Sequence, residues 1–348
     1  MRGSAVSPAR RSTTLATRGT LPMPRPAPPR LSYRGRVSAR SGRRSNEDAP
    51  AGSGAASGAA SGAVTLSDGR ALAYASHGPD TGSPLLYFHG TPASKHNWYL
   101  NHDEALLEAL GLRVLAIDRP GMGHSTYQPN RLLDDWPRDV GALADHLGLD
   151  LFAVLGYSCG APYALACAVH LGDRVTSTSI VSGYADAHHP DLADTREQPN
   201  LKVLRLGLER PWLSRTIYRA MGAMARMAPG RFLGQALATM PAVDAEVLSQ
   251  PSVRQAFLAM FAETLRQGPR GAQHDSAIVS RTWKLPLERI AGPVALWHGT
   301  DDRNAPLAMG QHHARRIPGA ELHVLPGEGH LSLVHRHIGA ILRRVLAA

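Results

Sequence analysis

Cysteine is scarce in this sequence, because only Cys159 and Cys167 occur among its 348 residues. If both lie on one helix, as the pattern around them predicts, a rise of ~1.5 Å per residue separates them by about 12 Å. A disulfide requires Cα atoms within roughly 7 Å of each other. We therefore expect two free thiols, and nothing in the sequence requires an oxidising compartment.

Long apolar runs are missing as well, although apolar residues make up 43% of the chain. A membrane-spanning helix needs roughly 18 consecutive apolar residues, and no segment approaches that length. We therefore expect no membrane span. The overall composition is that of a soluble globular protein.

Regular structure is not indicated in the first 62 residues, which are rich in Arg, Pro, Ser, Ala and Gly. A segment without apolar periodicity cannot bury enough surface to offset the entropy lost on ordering, so residues 1–62 are predicted to be a disordered tail and linker. The apolar region of a secretory signal is missing, and we predict a cytoplasmic protein. The Arg-rich, acid-poor composition leaves an organelle transit peptide as the alternative.

A strong charge of one sign is lacking outside this tail. The formal net charge is +10, but residues 1–48 hold 11 arginines against Glu47 and Asp48. The remaining 300 residues hold 27 basic and 26 acidic side chains, so they are nearly neutral. A basic surface for phosphates would have to lie in the tail alone, and no nucleic-acid partner is expected.

Eight short apolar runs are present, and they suit strands that are buried on both faces of a parallel sheet. They cover residues 64–66, 71–74, 85–88, 114–117, 151–155, 175–181, 294–297 and 322–325. Helical patterns lie between most of them, and the first two flank a hairpin turn at Asp68 and Gly69. Alternating strands and helices predict an α/β fold with a mostly parallel sheet.

One long segment breaks this alternation, because residues 187–289 carry helical patterns and no clear strand. About a hundred residues are too many for a simple connection between two strands. We predict an inserted helical cap at 187–289 over a core built from residues 63–186 and 290–348. The helical patterns in the cap cover residues 201–208, 212–227, 232–237 and 242–266.

The run GYSCG at residues 156–160 matches the pattern G-x-S-x-G. It follows a predicted strand and precedes a predicted helix, which is the setting that the pattern requires. A serine in this turn needs a positive φ that projects its hydroxyl, and side chains two residues to either side would collide. Ser158 is therefore the predicted nucleophile.

A serine hydroxyl is a weak nucleophile unless a base removes its proton. His330 directly follows the last predicted strand, in the run PGEGH at residues 326–330. The strand before it leads into HGTDDRNAP at residues 298–306, which supplies Asp301 and Asp302 as candidate acids. The chain thus presents a nucleophile, an acid and a base in the order Ser, Asp, His.

With these motifs the sequence resembles the α/β-hydrolase superfamily, in the branch of esterase-like, epoxide-processing and haloalkane-processing enzymes. Five motifs carry the resemblance in the family's order: HGTP at 89–92, DRPGMGHS at 118–125, GYSCG at 156–160, GTDD at 299–302 and GH at 329–330. The resemblance implies an α/β-hydrolase fold, with a mostly parallel eight-stranded sheet flanked by helices and an inserted helical cap. It implies no cofactor.

The resemblance also implies residue roles. The family's spacing favours Asp302 over Asp301 as the acid, and Asp186 is a lesser alternative. One donor of the oxyanion hole would be the backbone amide of Cys159, the residue after the nucleophile. The other donor would be the backbone amide of Thr91, and His89 would shape the loop that carries it.

Three further side chains, Tyr157, Trp98 and Met122, are candidates for lining the substrate pocket, although a place in the core is equally compatible with them. His188 and His189 stand near acidic residues, but in a loop we expect them to be solvated. No metal site is therefore predicted.

The expected function is a cofactor-free serine hydrolase that acts on a small-molecule ester through an acyl-enzyme intermediate. A serine at position 158, where haloalkane dehalogenases and epoxide hydrolases carry aspartate, argues against those two chemistries. Two alternatives stay open. One is a ligand-binding, receptor-like protein with weak hydrolysis, and the other is a lyase or perhydrolase that uses the same triad. The sequence carries no indication of an oligomeric state.

Overall fold

The computed structural model describes residues 60–101 and 103–347. The predicted disordered tail at 1–62 therefore lies outside the described residues, except for its last three. Those three residues begin the first strand, β1 (Ala60–Thr65), so the folded part starts at least three residues before the predicted boundary.

Eight strands form a single sheet in the spatial order 1-2-4-3-5-6-7-8. They are β1 (Ala60–Thr65), β2 (Ala71–His77), β3 (Ser83–Phe88), β4 (Leu112–Ile117), β5 (Phe152–Tyr157), β6 (Val175–Val181), β7 (Val294–Gly299) and β8 (Glu321–Leu325). β3 to β8 run parallel to one another, whereas β2 runs opposite to its neighbours β1 and β4. This mostly parallel sheet confirms the predicted fold class.

The central strands are buried on both faces. In β3, Leu86 and Phe88 belong to the apolar cluster on one face, and Leu85 and Tyr87 belong to the cluster on the other. All four side chains are fully buried. Because successive side chains of a strand point to opposite faces, a strand covered on both sides must be apolar throughout.

The described residues form eleven α-helices. They are α1 (Glu104–Leu110), α2 (Trp136–His146), α3 (Ala161–His170), α4 (Pro199–Glu209), α5 (Pro211–Met227), α6 (Pro229–Thr239), α7 (Ala242–Leu248), α8 (Pro251–Thr264), α9 (Arg270–Val279), α10 (Leu307–Arg316) and α11 (His330–Leu346). Side chains of α2, α3 and α10 join the cluster on one face of the sheet, and those of α1 and α11 join the other. In this part of the chain, no helix is both long and apolar enough to cross a membrane.

Helices α4 to α9 occupy the chain between β6 and β7, where the sequence predicts helices. Two details differ from the prediction. The pattern at 242–266 is two helices, because Pro251 cannot continue a helix and starts α8 instead. Helix α9 was not predicted, because it buries polar residues such as Gln273, Asp275 and Ser276 and so shows little apolar periodicity.

Candidate active site

Ser158 stands at the sharp turn between β5 and α3. Its φ is +56°, in the left-handed region, and residues 158–160 form one 3₁₀ turn before α3 begins. A Cβ atom on Gly156 would lie 2.6 Å from the carbonyl oxygen of Gly160, and one on Gly160 would overlap the carbonyl oxygen of Phe88. Glycine at both positions therefore permits the turn that projects the serine hydroxyl.

Ser158, His330 and Asp302 form a continuous hydrogen-bonded chain. Ser158 Oγ lies 2.9 Å from His330 Nε2, and His330 Nδ1 lies 2.8 Å from Asp302 Oδ2. The three residues follow β5, β8 and β7, whose C-terminal ends lie at one edge of the parallel sheet. All three are buried. The structure thus brings together the side chains that the sequence predicts as nucleophile, base and acid.

Asp302 is held in place by its own loop. The backbone amides of Asn304 and Ala305 each donate to Asp302 Oδ1 at 2.8 Å. Burial disfavours the charged carboxylate, but the facing His330 and these contacts hold the pKa of Asp302 below its ordinary value. Asp302 is therefore an ionised acceptor that orients the imidazole ring.

The two alternative acids have other partners. The Thr300 hydroxyl donates to Asp301 Oδ1 at 3.0 Å, and Asp301 is exposed. Asp186 accepts hydrogen bonds from the backbone amides of His188 and Trp283 at 2.9 and 2.8 Å. Across the described residues, the carboxylate that contacts the imidazole ring of His330 is that of Asp302.

The electrostatic surroundings of His330 favour its protonated form. Burial disfavours the imidazolium, but the carboxylate of Asp302, with a smaller contribution from Asp244, outweighs it and raises the pKa of His330 above its ordinary value. A more basic imidazole is a stronger proton acceptor for the Ser158 hydroxyl.

The loop after β3 lies beside Ser158. A Cβ atom on Gly90 would lie 3.2 Å from Ser158 Cβ, and Thr91 lines the same cavity as Ser158. The Gly90 amide donates to Asn97 Oδ1 at 3.2 Å, which fixes the loop. Cys159 directly follows Ser158. The two amides predicted as oxyanion donors therefore belong to segments adjacent to the serine.

A buried ionic network that the sequence did not predict supports this loop. Asp275 accepts from Arg119 at 2.7 Å, from Arg131 at 2.8 Å and from the Tyr163 hydroxyl at 2.5 Å. The Thr91 hydroxyl donates to the same carboxylate. Burial disfavours the charge on Asp275, but the two arginines hold its pKa well below its ordinary value.

Arg119 links this network to the loop backbone, because it donates to the carbonyl oxygens of His89 and Gly90. His89 Nε2 accepts from the Arg119 amide at 3.2 Å, and burial holds the pKa of His89 well below its ordinary value. These contacts are those of a loop-shaping histidine. The signal for Arg119 was its place in the motif at 118–125, whereas Asp275 lies on the helix that the sequence did not reveal.

A cavity of about 410 Å³ opens beside Ser158 and His330. Tyr157, one of the three predicted pocket residues, lines it, and its hydroxyl donates to the carbonyl oxygen of His330 at 3.1 Å. Much of the remaining wall is apolar and comes from the segment between β6 and β7. Its members include Ile217, Met221, Met240, Phe257 and Phe261.

The other two predicted pocket residues, Trp98 and Met122, are core residues instead. Trp98 is 1% exposed and packs with its ring centroid 5.1 Å from that of Tyr87. Met122 is fully buried in the loop that begins at Asp118. Of the two positions that the sequence left open for these residues, the structure has the core one, because aromatic and thioether side chains fill cores as readily as they line pockets.

The two cysteines are free and buried, as predicted. Burial raises the pKa of the Cys159 thiol to about 12, so at neutral pH the group is a protonated thiol rather than a reactive thiolate. In the same turn, the Ser158 hydroxyl is the group that lies 2.9 Å from the imidazole of His330.

Within residues 60–101 and 103–347, one group of side chains could hold a metal ion. The donor atoms of His189, Asp191 and His312 lie within 4.8 Å of one another. A guanidinium nitrogen of Arg315 lies 3.1 Å from Asp191 Oδ2, so a bound cation would have to displace this ion pair. This cluster shares no residue with the hydrogen-bonded chain of Ser158, His330 and Asp302.

Several known proteins have sequences similar to that of this chain. The bifunctional esterase/perhydrolase DCH of Acinetobacter calcoaceticus is 27% identical over 281 residues, which cover 77% of this chain and 92% of that protein. A shorter match is 35% identical over 115 residues. It covers 33% of this chain but only 30% of the dihydrolipoyllysine-residue acetyltransferase component of the acetoin cleaving system of Pseudomonas putida.

A solved structure supports the same relationship. The alpha/beta hydrolase fold protein from Nakamurella multipartita aligns with a TM-score of 0.60 and 26% identity, covering 83% of this chain and 98% of that one. Residues 83–336 match the family model for the alpha/beta hydrolase fold, which is well over half of the sequence. The chain therefore belongs to the alpha/beta hydrolase fold family, as the order of its strands and its sequence motifs together indicate.

Proposed function

We propose that this protein is a cofactor-free serine hydrolase that cleaves carboxylic esters through an acyl-enzyme intermediate. The observation that carries the proposal is the hydrogen-bonded chain from Ser158 to His330 to Asp302 beside the cavity. Serine is activated for acyl transfer when its hydroxyl is hydrogen-bonded to one imidazole nitrogen and a carboxylate is hydrogen-bonded to the other.

In the acylation step, Ser158 Oγ attacks the ester carbonyl while His330 Nε2 takes the hydroxyl proton. Asp302 keeps the ring in the tautomer that accepts at Nε2 and stabilises the imidazolium that forms. When the tetrahedral intermediate collapses, His330 gives the proton to the departing alkoxide. The products of this step are the free alcohol and an acyl ester on Ser158.

In the deacylation step, a water molecule takes the place of the alcohol. His330 removes a proton from the water, whose oxygen attacks the acyl carbonyl. Collapse of the second intermediate releases the carboxylic acid and returns the proton to Ser158. Both intermediates carry an oxyanion, for which the amides of Thr91 and Cys159 are the proposed donors.

We also propose that helices α4 to α9 act as a cap that selects the substrate. Apolar side chains of α5 and α8, among them Met221 and Phe257, line the cavity and support this role. Apolar walls around a few polar groups suit a neutral ester with an apolar acyl or alcohol part. Residues 187–289 would then set specificity, while residues 63–186 and 290–348 carry the chemistry.

Fluorophosphonate labelling tests the proposed chemistry. We expect the native protein to be labelled at Ser158, and we expect Ser158→Ala to abolish both labelling and ester hydrolysis. If the folded protein carried no label on Ser158, the hydrolase proposal would be wrong. A burst of product followed by negligible turnover would instead favour the receptor-like alternative.

A series of p-nitrophenyl esters then measures the acyl preference. The apolar cavity of about 410 Å³ predicts that kcat/KM rises from acetate to medium acyl chains and falls for long ones. An anionic ester of matched length serves as the control, and we expect it to react poorly. A flat series would argue against the cap as the source of specificity.

Perhydrolysis is a second candidate, favoured by the similarity to the esterase/perhydrolase DCH. Here hydrogen peroxide would replace water as the acyl acceptor, so that the acyl group leaves Ser158 as a peracid. Peracid formation that depends on both an ester and Ser158 would support it. Ester hydrolysis that peroxide does not divert would leave the esterase proposal alone.

A further inference from the structure

Helix α11 begins at His330 itself, so the first backbone amides of this helix belong to the triad histidine and its neighbours. The first four amides of any helix lack partners within the helix and need an acceptor from outside. That acceptor is usually a side chain at the residue just before the helix. Here this residue is Gly329, which has no side chain to offer.

The acceptor comes instead from Asp244, on helix α7 of the inserted segment. Asp244 Oδ2 accepts from the His330 amide at 2.9 Å, and Oδ1 accepts from the amides of Leu331 and Ser332 at 2.9 and 2.8 Å. The carboxylate is 2% exposed and also lines the cavity. A partner 86 residues away in the sequence therefore caps the helix of the triad histidine.

The absence of a side chain at Gly329 leaves room for the carboxylate of Asp244. A Cβ atom on Gly329 would lie 2.5 Å from the carboxylate oxygens of Asp244, so a larger residue there would push the carboxylate away. An anion at a helix N-terminus is also stabilised by the positive end of the helix dipole. Sterics and electrostatics both favour Asp244 at this place.

We propose that Asp244 is a positioning residue for His330, which makes the alignment of the triad depend on the seating of helix α7. The inference rests on the proposed function, because it assigns Asp244 a role in the same Ser158 chemistry. A carboxylate that holds three consecutive amides fixes the backbone of His330. With the backbone fixed, the imidazole remains within reach of both Ser158 and Asp302.

Asp244 also contributes charge at the site. The groups that face His330 are Asp302 after β7, Asp244 on α7 and the Tyr157 ring on β5, whose centroid lies 5.1 Å from that of the imidazole. His298 acts on the site through Asp302. Of these groups, Asp244 and Asp302 are the two carboxylates, so removing the charge of Asp244 must weaken the stabilisation of the imidazolium.

The test compares Asp244→Asn and Asp244→Ala with a matched control, Glu246→Gln. Asparagine has only one acceptor oxygen for the three backbone amides. Its NH₂ group would face at least one of these amides, so that two hydrogen-bond donors would meet. Glu246 is on the same helix and also bonds to α11, through Arg336 at 2.8 Å, but this contact is exposed. The control therefore removes an α7–α11 contact without touching the N-terminus of α11.

Three measurements are made on the full-length protein: kcat and KM for a p-nitrophenyl ester, the fluorophosphonate labelling rate, and the pH dependence of kcat/KM. For Asp244→Asn we expect kcat and the labelling rate to fall about 10- to 100-fold, with KM changed much less. The acid limb of the pH profile should move to lower pH, because the imidazolium loses a stabilising charge. Glu246→Gln should match the native protein in all three.

A merely structural role would not move the pH profile, so this readout separates positioning from packing. The proposal is overturned if folded Asp244→Asn keeps the native kcat, labelling rate and acid limb. If Asp244→Ala does not fold, Asp244→Asn still decides the question. Failure of the proposed function would look different, because the native protein itself would then leave Ser158 unlabelled.

Discussion

The sheet and the inserted helices differ in how they are built and in what they contribute. Strand β5, which leads to Ser158, is buried at all six positions. Of the helices between β6 and β7, α4 to α8 each bury fewer than half of their residues and expose large apolar side chains, such as Trp212 at 68% and Met227 at 80%. Ser158, Asp302 and His330 lie after three strands of the sheet, whereas the inserted helices supply much of the cavity wall.

The inserted segment nevertheless reaches into the core at two points through buried aspartates. Asp275 binds Arg131 and also Arg119, which donates to the loop of Thr91, and Asp244 accepts from the backbone amides at His330. The proposed reacting groups thus lie in the part of the chain that forms the sheet, whereas two buried carboxylates that hold their surroundings lie in the inserted segment. Changes in the two regions should therefore have different signatures.

The largest effect is expected within the sheet region, for Asp302→Asn. Asparagine keeps the shape, but it removes the charge and allows the wrong tautomer of His330, so kcat should fall about 10⁴-fold. Steady-state kinetics measure this loss, and thermal unfolding should show a folded protein. A loss of less than tenfold would mean that another carboxylate serves His330. Asp301→Asn is the matched control, and it should stay close to the native activity.

The next largest effect tests the contact from the inserted helices to the core. Asp275→Ala leaves the buried guanidinium groups of Arg119 and Arg131 without their carboxylate, which should lower the free energy of unfolding by about 3–5 kcal/mol. Denaturant unfolding measures this loss of free energy. The control is Glu209→Gln, which breaks the exposed pair with Arg205 and should cost less than about 1 kcal/mol. If both variants lowered the free energy of unfolding equally, the buried contacts of Asp275 would stabilise the fold no more than an exposed ion pair does.

A smaller effect should separate the cavity wall from the outer surface of the same helix. Met221→Trp fills part of the cavity and should lower kcat/KM for medium-chain esters about 10- to 100-fold relative to acetate. Met227, on the same helix α5, is 80% exposed, so Met227→Trp should leave the ratio unchanged. Competition between two esters in one reaction measures the ratio directly. If both variants changed this ratio equally, Met221 would not line the cavity that binds the acyl chain.

The smallest effect is a displacement of the pH profile in the native protein. His330 must be neutral to accept the Ser158 proton, and its pKa is raised above the ordinary histidine value by the nearby carboxylates, against the effect of burial. Activity should therefore be lost on acidification at a pH above about 6.5, the unperturbed value. The profile of kcat/KM locates this midpoint. A midpoint well below 6.5 would contradict the electrostatic account of His330.

Much of the fold could be predicted because its signals are local. The apolar runs that mark the buried strands, the turn at Gly69 and the glycines around Ser158 each span only a few residues. The helix over 242–266 was predicted without its break at Pro251, and α9 was missed because Asp275 and its neighbours bury polar groups through distant partners. Periodicity reports burial only when the buried residues are apolar.

The sequence by itself determined the eight strands, the serine turn, and the candidate roles of Ser158, Asp302 and His330. Only the tertiary structure decided that Tyr157 lines the cavity while Trp98 packs in the core. It also decided that Asp275 supports the loop of Thr91 and that Asp244 caps the helix that begins at His330. The physical reason is the range of the interactions. Turn geometry and strand burial depend on neighbouring residues, whereas a carboxylate that caps a helix 86 residues away depends on how the whole chain packs.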